Sequence, residues 1–356
     1  MESIFQSNGI RTSTATITTF EEYALKSHLK DYIPQISEYP NDFKGRGIVF
    51  CAGGLKYFTC CWVAVNVLRE SGCKLPIEIW YFNEELSAEM MNKFSEIENL
   101  CCKNIADYVE SKVEGMIIKP LAVLYSAFEE VLFIDSDNIC VSDPSFLFDD
   151  LNYIKTGTIF WPDYWETSIE NPIWNILGIK YFKSPEQESG QILIHKAKCW
   201  KELNLTVYFN IMGKYYYKLL HGDKDTFKFA WLAFNTPYYM ISTEVASCGL
   251  FISNHFEGNT MVQHDSLGKI IFLHRNLYKW DITNLNVKVW QIIRKFKSGT
   301  TQDKYYYLYN DKYVYFNIEG DTEDSFFQEV FPSLEITCLN YLRQLRSSSL
   351  YKNSRA

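Results

Sequence analysis

The sequence lacks any excess of positive charge and any long apolar run. Its formal net charge is −8, with 35 Lys and Arg against 43 Asp and Glu in 356 residues. Proteins that bind nucleic acid need a basic field for the phosphate backbone, so the composition argues against that partner. No run reaches the ~18 apolar residues of a membrane-spanning helix, and residues 1–19 lack a signal-peptide core. We therefore expect no membrane span and a soluble, cytoplasmic protein.

The sequence also lacks Cys-x-x-Cys pairs, internal repeats and long linkers. Its ten cysteines are scattered, which argues against a zinc site and favours reduced, buried thiols. A chain of this length with 47% hydrophobic residues can bury one large core. We predict an N-terminal lead-in over 1–44, a catalytic domain over 45–300, and an extension over 301–356. The extension should comprise a hairpin, a helix and a fraying tail from Arg343 onwards.

Short apolar runs alternate with segments of helical periodicity in the first half of the chain. Gly47–Ala52 and Ile77–Phe82 predict buried strands, and residues 57–70 and 87–98 predict helices after each of them. This alternation predicts an α/β fold with a mostly parallel central sheet flanked by helices. Other predicted helices cover 20–29, 119–128 and 225–234, and other strands cover 131–134, 158–161, 191–195 and 270–274, with a hairpin over 305–318.

Two carboxylates follow a run of four apolar residues. Val131–Ile134 predicts a buried strand, and Asp135-Ser136-Asp137 comes directly after it. Open α/β sheets bind ligands at the carboxyl edge of their strands, where this strand would deliver both side chains. Oxygen ligands at this spacing suit Mn²⁺ or Mg²⁺. Such an ion would stabilise the diphosphate that leaves when a sugar nucleotide is cleaved.

Two other interpretations of the Asp-x-Asp motif remain open. The motif can be a strand end without a bound ion. Phosphatases of the haloacid-dehalogenase type also place Asp-x-Asp after an apolar strand, and they use the first Asp as a nucleophile. Those enzymes favour a small hydroxyl residue or Val where this chain has Ile139, and their motif lies near the start of the chain.

Five sequence blocks add information that a single Asp-x-Asp cannot give. The first runs from Lys119-Pro120-Leu121-Ala122 through Ser126 and Phe128 to Asn138. The later blocks are Phe160–Trp165, Glu188–Gln191, Gly222–Phe227 and Phe272–Asn276. In order and spacing these blocks resemble fungal-type α-mannosyltransferases with a GT-A fold, over roughly residues 45–280.

The resemblance implies a metal-dependent transferase that retains the anomeric configuration and uses GDP-mannose as its usual donor. It implies a GT-A-like glycosyltransferase fold, to which this chain would add a C-terminal elaboration. Members of that family are Golgi proteins with an N-terminal membrane anchor, and this sequence shows no such anchor. The compartment, the donor sugar and the acceptor therefore stay open, and UDP-galactose, UDP-xylose or UDP-glucose are alternative donors.

The expected donor site combines carboxylates, glycines and a lysine. Gly53 and Gly54 follow a predicted strand, and their missing Cβ atoms would let a nucleotide approach the backbone, although a plain tight turn explains them equally well. Lys119 could place its ammonium near the diphosphate, or be a solvated surface lysine. The residues expected to bind the nucleotide-sugar are Ala52, Gly53, Gly54, Tyr57, Lys119, Asp135, Ser136, Asp137 and Gly190.

The predicted metal ligands are Asp135, Asp137 and His274. The resemblance implies a late histidine in the cation's shell, and His274 follows the apolar run Ile270–Leu273. His264 is the competing candidate, and Gly268 nearby indicates a turn there. A strand end holds a ligand more firmly than a turn, so we prefer His274.

The remaining candidates concern the acceptor and the reacting centre. Trp161, Asp163, Tyr164 and Trp165 combine flat apolar faces with a carboxylate, as a sugar acceptor requires, although a Trp-rich core strand fits too. The candidate catalytic residues, which would hydrogen-bond the donor or acceptor sugar, are Asp223, Asp225 and Gln191. Asp225 could instead merely cap the helix that it opens.

The sequence thus predicts a glycosyltransferase that moves a hexose, preferably mannose, from a sugar nucleotide to an oligosaccharide or glycoprotein glycan. A phosphatase remains the alternative enzyme. A carbohydrate-binding protein without catalytic activity is the alternative from another class.

Overall fold

The computed structural model describes residues 3–7, 9–11, 17–109, 115–297, 302–309 and 313–353. Within these ranges the chain forms helices and strands in alternation over its first half, as predicted. The helices are α1 Thr19–Tyr32, α2 Gly54–Glu70, α3 Ala88–Ser95, α4 Ile118–Tyr125, α5 Leu151–Thr156, α6 Ile173–Leu177, α7 Trp200–Ile211, α8 Gly213–Leu219, α9 Lys224–Ala233, α10 Phe327–Val330, α11 Leu334–Ser347 and α12 Ser349–Asn353.

The strands fall into two sheets. They are β1 Ser3–Ser7, β2 Ile10–Arg11, β3 Arg46–Cys51, β4 Ile77–Tyr81, β5 Leu100–Asn104, β6 Glu130–Ile134, β7 Asn138–Cys140, β8 Thr158–Thr167, β9 Pro185–His195, β10 Tyr239–Met240, β11 Ala246–Ile252, β12 His255–His264, β13 Ile270–His274, β14 Ile292–Phe296, β15 Gln302–Tyr309, β16 Tyr313–Gly320 and β17 Thr322–Phe326.

The central sheet has the order β10-β8-β9-β6-β3-β4-β5, and the short strand β2 also pairs with β8. Strands β6, β3, β4 and β5 run parallel, whereas β9 lies antiparallel between β6 and β8. The predicted α/β class with a mostly parallel central sheet flanked by helices is confirmed. Because β6 ends beside β9, the Asp-x-Asp motif emerges in the middle of the sheet rather than at its margin.

Alternate side chains of the central strands pack into two separate cores. Ile48 and Phe50 of β3 join a cluster with α2, whereas Val49 joins a cluster with α4, α7 and α9 on the opposite face. When a sheet is covered on both faces, the sequence of each strand is a continuous apolar run, because side chains of both orientations are buried. This burial explains why β3, β4 and β6 are recognisable in the sequence.

The second sheet is antiparallel and has the order β1-β15-β16-β12-β11-β14-β17. Strand β13 pairs with β12 on one side and with the short β7 on the other. Since β7 begins directly after Asp137, this sheet is tied to the carboxyl end of β6. The predicted hairpin is present as β15 and β16, and residues 310–312, where its turn was predicted, lie outside the described residues.

Two features differ from the sequence expectations. Strands β8 and β9 are longer than predicted, because their polar residues are buried and hydrogen-bonded rather than exposed. Within the described residues, the segment after Arg343 continues in α11 and α12 to Asn353, where the sequence predicted a fraying tail. Leu345 and Leu350 are 0% and 5% exposed in the core around α2, which explains the order of this segment.

No helix within the described ranges is both long and apolar enough to cross a bilayer.

Candidate active site

The carboxyl end of β6 places Asp135 and Asp137 on a tight turn. The Asp135 N–H donates to the Gly190 carbonyl at 2.8 Å, which continues the pairing with β9 for one residue. The Asn138 N–H then donates to the Asp135 carbonyl at 3.0 Å, and the chain reverses into β7. The turn puts both carboxylates on the cavity side of the sheet. Their i, i+2 spacing on a straight strand would likewise place them on one face.

His274 reaches these carboxylates through the pairing of β7 with β13. In that pairing His274 lies opposite Asn138, one residue after Asp137. Its Nε2 atom lies 3.3 Å from Asp137 Oδ1 and 3.8 Å from Asp135 Oδ2. One ligand atom from each of these three residues lies within 4.8 Å of the ligand atoms of the other two. Two carboxylate oxygens and one imidazole nitrogen form a donor set that fits a divalent cation such as Mn²⁺.

His264, the competing candidate, lies elsewhere. It ends β12 rather than occupying the expected turn, and it is buried. Its carbonyl accepts a hydrogen bond from the Trp161 indole at 2.8 Å. Both histidines therefore end strands, but within the described residues only His274 groups with the two aspartates.

Two lysines approach the same carboxylates. Lys119 Nζ lies 3.1 Å from both Asp135 Oδ1 and Asp223 Oδ2, and it donates to the Ser189 hydroxyl at 2.9 Å. Lys279 forms an ion pair with Asp137. Burial alone would lower the pKa of each lysine, but the facing aspartates outweigh it and raise both pKa values. Both lysines are therefore fully charged at neutral pH.

Burial and neighbouring charges oppose one another at the other groups of the site. Burial raises the pKa of Asp135 above its usual range. At Asp137 burial is outweighed by Lys279 and His274, which hold the pKa well below its usual range. Burial alone would lower the pKa of His274, but Glu188 and Asp137 raise it to about 10. A metal ion that uses this imidazole must therefore displace a proton.

These groups line a cavity of about 470 Å³, within the usual range for ligand sites. Nine of the predicted site residues line it: Ala52, Gly53, Tyr57, Lys119, Asp135, Ser136, Asp137, Asp223 and His274. Gly53 has a direct steric role, since a Cβ there would lie 2.0 Å from a carboxylate oxygen of Glu85. Gly54 starts α2 next to this wall with a positive φ of 64°.

Three other predicted residues lie behind the cavity wall. Gln191 is fully buried and donates to Glu188 Oε2 at 2.8 Å. The His274 ring packs against Gly190, so a Cβ at this position would lie 2.4 Å from His274 Nδ1. Asp225 is 1% exposed, accepts from the Gln187 N–H and lies 3.2 Å from Lys224. Of the two aspartates considered for the reacting centre, Asp223 is thus the one that faces the cavity.

The aromatic block on β8 lies away from the first cavity. Trp161 is fully buried, whereas Asp163, Tyr164 and Trp165 line a second cavity of about 290 Å³. Asp163 also forms an ion pair at 2.7 Å with Lys224, the residue that follows Asp223 in the chain. Adjacent residues at the start of α9 therefore connect the two cavities, since Asp223 lines the first and Lys224 contacts Asp163 in the second.

The sequence interpretation did not assign several residues of the first cavity. They are Cys51, Phe82, Glu85, Gly115, Met116, Ile118, Asn276 and Lys279. The sequence signal for Lys279 is weak, because it is only a basic residue five positions after the predicted ligand His274. Glu85 and Phe82 carry no such signal, because only the packing of their loop against Gly53 brings them to the wall.

Comparisons with known proteins identify relatives of this chain. A mannosyltransferase family model matches residues 45–187 and 179–265, which together cover more than half of the chain. Two relatives from Candida albicans, the α-1,2-mannosyltransferases MNN24 and MNN21, are each 30% identical to it, over 58% and 68% of this chain. The α-1,2-mannosyltransferase MNN2 of Saccharomyces cerevisiae is 26% identical over 67% of this chain.

The chain spans between about a third and a half of the length of these curated relatives, at 35%, 46% and 49%. Among solved structures, the glycosyltransferase GlyE of Streptococcus pneumoniae TIGR4 aligns over 56% of this chain and 45% of its own, with a TM-score of 0.39 and 15% identity. The galactosyltransferase LgtC, solved with donor and acceptor sugar analogs, aligns over 55% of this chain and 72% of its own, with a TM-score of 0.37 and 14% identity.

Proposed function

This chain belongs to a family of fungal-type α-mannosyltransferases, and on that premise we propose that it transfers mannose from GDP-mannose to a hydroxyl group of a glycan. The proposed reaction uses Mn²⁺ or Mg²⁺ and retains the anomeric configuration. The observation that carries the proposal is the meeting of Asp135, Asp137 and His274 with two lysines at one cavity.

The charges around the cavity support a divalent ion. Its lining holds two lysines and four carboxylates, from Asp135, Asp137, Asp223 and Glu85, so its formal charge is −1 when His274 is protonated and −2 when His274 is neutral, as a metal ligand must be. A diphosphate alone would be repelled by this surplus, and a divalent cation offsets it. When bound, the ion would supply Lewis-acid stabilisation to the departing diphosphate.

The two lysines are placed to help hold the donor. Lys119 is anchored by Ser189 and Asp223 as well as by Asp135, so it can bind a phosphate oxygen without leaving the wall. Lys279 pairs with Asp137 and lies on the segment after β13. With Asp137 as a metal ligand, the Lys279 ammonium would be available to bind the diphosphate, a charge-assisted contact.

Asp223 is our candidate for the group beside the reacting sugar. It precedes α9, faces the cavity, and is held by Lys119 on the side toward Asp135. A carboxylate there can hydrogen-bond sugar hydroxyls or stabilise positive charge that develops at the anomeric carbon. Gln191 and Asp225 would then support the site from behind rather than touch the sugar. Direct attack by the acceptor and a short-lived covalent step both agree with retention.

The second cavity is our candidate for part of the glycan acceptor site. It presents Asp163 together with the rings of Tyr164 and Trp165, a combination that suits the hydroxyls and C–H faces of a sugar. Its connection to the first cavity through Asp223 and Lys224 would let a glycan lie beside the donor. Trp161, which is fully buried, would support this wall from within.

One experiment tests the proposal against its alternatives. The protein is incubated with Mn²⁺ and a panel of GDP- and UDP-sugars, and release of the nucleoside diphosphate is measured with and without mannose oligosaccharides. Release of GDP from GDP-mannose supports the proposal, and release of UDP keeps the transferase but changes the donor. Hydrolysis of a phosphate monoester without nucleotide release would favour the phosphatase. Saturable glycan binding without any turnover would favour the binding protein.

A further inference from the structure

Glu188 is a buried carboxylate that no step above uses. It lies within β9, is 6% exposed, and is absent from the lining of the donor cavity. Its Oε1 accepts from the Gly190 N–H at 2.7 Å, and its Oε2 accepts from the Gln191 side-chain amide at 2.8 Å. A buried carboxylate with fixed hydrogen bonds is held in one orientation, so it can hold its next neighbour in place as well.

That neighbour is His274, whose Nδ1 lies 3.1 Å from Glu188 Oε1. An ionised carboxylate only accepts hydrogen bonds, so the Nδ1 atom must carry the hydrogen that joins the two groups. The opposite ring nitrogen, Nε2, then points toward Asp137 and Asp135, at 3.3 and 3.8 Å. The contact therefore selects both the orientation of the ring and the nitrogen that faces the two aspartates.

The surrounding backbone is shaped around this contact. The Asn138 side chain donates to the Gly190 carbonyl at 2.8 Å and to Gln191 Oε1 at 2.7 Å. Asn138 is also the strand partner of His274 in the pairing of β7 with β13. The amide of Asn138 thus links the metal-site turn, the histidine strand and the Glu188 segment into one buried network.

We propose that Glu188 is a positioning residue that fixes the His274 ring so that Nε2 serves as a metal ligand. This inference rests on the proposed function and deepens it, since it explains how the third ligand is held. Partners of metal-ligating histidines commonly act in this way, and their loss typically weakens metal affinity by about 10- to 100-fold.

The experiment measures Mn²⁺ affinity directly, by the electron paramagnetic resonance signal of free Mn²⁺ titrated against protein, with no substrate present. Glu188→Gln keeps the shape but turns one oxygen into a donor, so it should weaken Mn²⁺ binding by about 10- to 100-fold. Glu186→Gln is the matched control. Glu186 is on the same strand and equally buried, but it pairs with Lys224, and its loss should leave Mn²⁺ affinity unchanged.

A double-mutant cycle separates positioning from general damage. In a His274→Ala background, Glu188→Gln should weaken Mn²⁺ binding little further, because Glu188 acts through that ring. Additive effects, or unchanged affinity in Glu188→Gln alone, would overturn the inference. If Glu188→Gln does not fold, Glu188→Asp replaces it, since the shorter side chain keeps the charge but withdraws from His274.

The outcome is distinguishable from failure of the proposed function. Wild-type protein that binds Mn²⁺ but releases no nucleoside diphosphate would refute the transferase and leave the positioning role intact. Wild-type protein that turns over sugar nucleotides while Glu188→Gln retains full Mn²⁺ affinity would refute only the positioning role.

Discussion

Gly190→Ala should disable the metal site through one added methyl group. A Cβ at this position would lie 2.4 Å from His274 Nδ1 and 2.9 Å from Glu188 Oε1. Ordinary contacts of this kind are near ~3.5 Å, so the ring must move by about 1 Å. A misplacement of about 1 Å in a catalytic constellation can cost about 100-fold in rate. We therefore expect kcat/KM to fall by about 100-fold and the half-saturating Mn²⁺ concentration to rise.

The assay follows nucleoside diphosphate release from the best donor as Mn²⁺ is varied, and urea unfolding gives the free energy of unfolding of the same samples. Overpacking of a buried position costs about 1–3 kcal/mol, so the variant should remain folded. Gly47→Ala is the control, because its Cβ would meet the Phe128 ring at 2.3 Å in the core, away from the metal site. Both variants should lose stability, but Gly47→Ala should keep its half-saturating Mn²⁺ concentration.

Equal Mn²⁺ dependence of Gly190→Ala and wild type would refute this reasoning. It would show either that the His274 ring has room to move without loss or that His274 does not hold the ion. A matching shift in Gly47→Ala would instead mean that the metal dependence follows overall stability.

Four further predictions concern the metal and the donor. Asp137→Asn removes a ligand charge without changing the side-chain volume, so turnover should fall by orders of magnitude. EDTA should lower turnover reversibly to the same extent, and full activity in EDTA would contradict the metal assignment. In manganese titrations at saturating donor, His274→Ala should raise the half-saturating concentration and His264→Ala should not; a larger shift in His264→Ala would reverse that assignment. Lys279→Met should raise the donor KM by about 10-fold or more, because the variant loses a charged hydrogen bond. An unchanged donor KM would contradict this prediction. GDP-mannose with Mn²⁺ should raise the melting temperature of wild-type protein more than UDP-sugars do; the opposite ranking would change the donor.

Some of the fold was predictable because the responsible forces are local. The central strands β3, β4 and β6 are buried on both faces, so their sequences are short apolar runs that stand out. The polar residues Asp135 and Asp137 directly after β6 were predictable as a site, because a strand end in an α/β sheet faces the ligand edge. His274 also ends an apolar strand, and its grouping with the aspartates matches the sequence prediction.

Other features depended on partners far away in the chain. The first half of β9, with Glu186 and Glu188, is polar and falls outside the strand predicted over 191–195, because its side-chain partners come from β13 and α9. Leu345 of α11 and Leu350 of α12 gave no clear signal of order, since their burial depends on the packing of α11 against α2 and of α12 against α11.

The sequence by itself therefore determined the sheet class, the strand that leads into Asp135 and Asp137, and the identity of three candidate ligands. Tertiary structure decided which predicted residues face the cavity. It placed Asp223 at the wall and Asp225 in an internal ion pair, although the two lie only two residues apart. It also brought Glu188 behind His274 and Lys279 in front of Asp137. The physical reason is that side-chain direction and charge pairing are set by strand register and long-range packing, which local residue patterns do not encode.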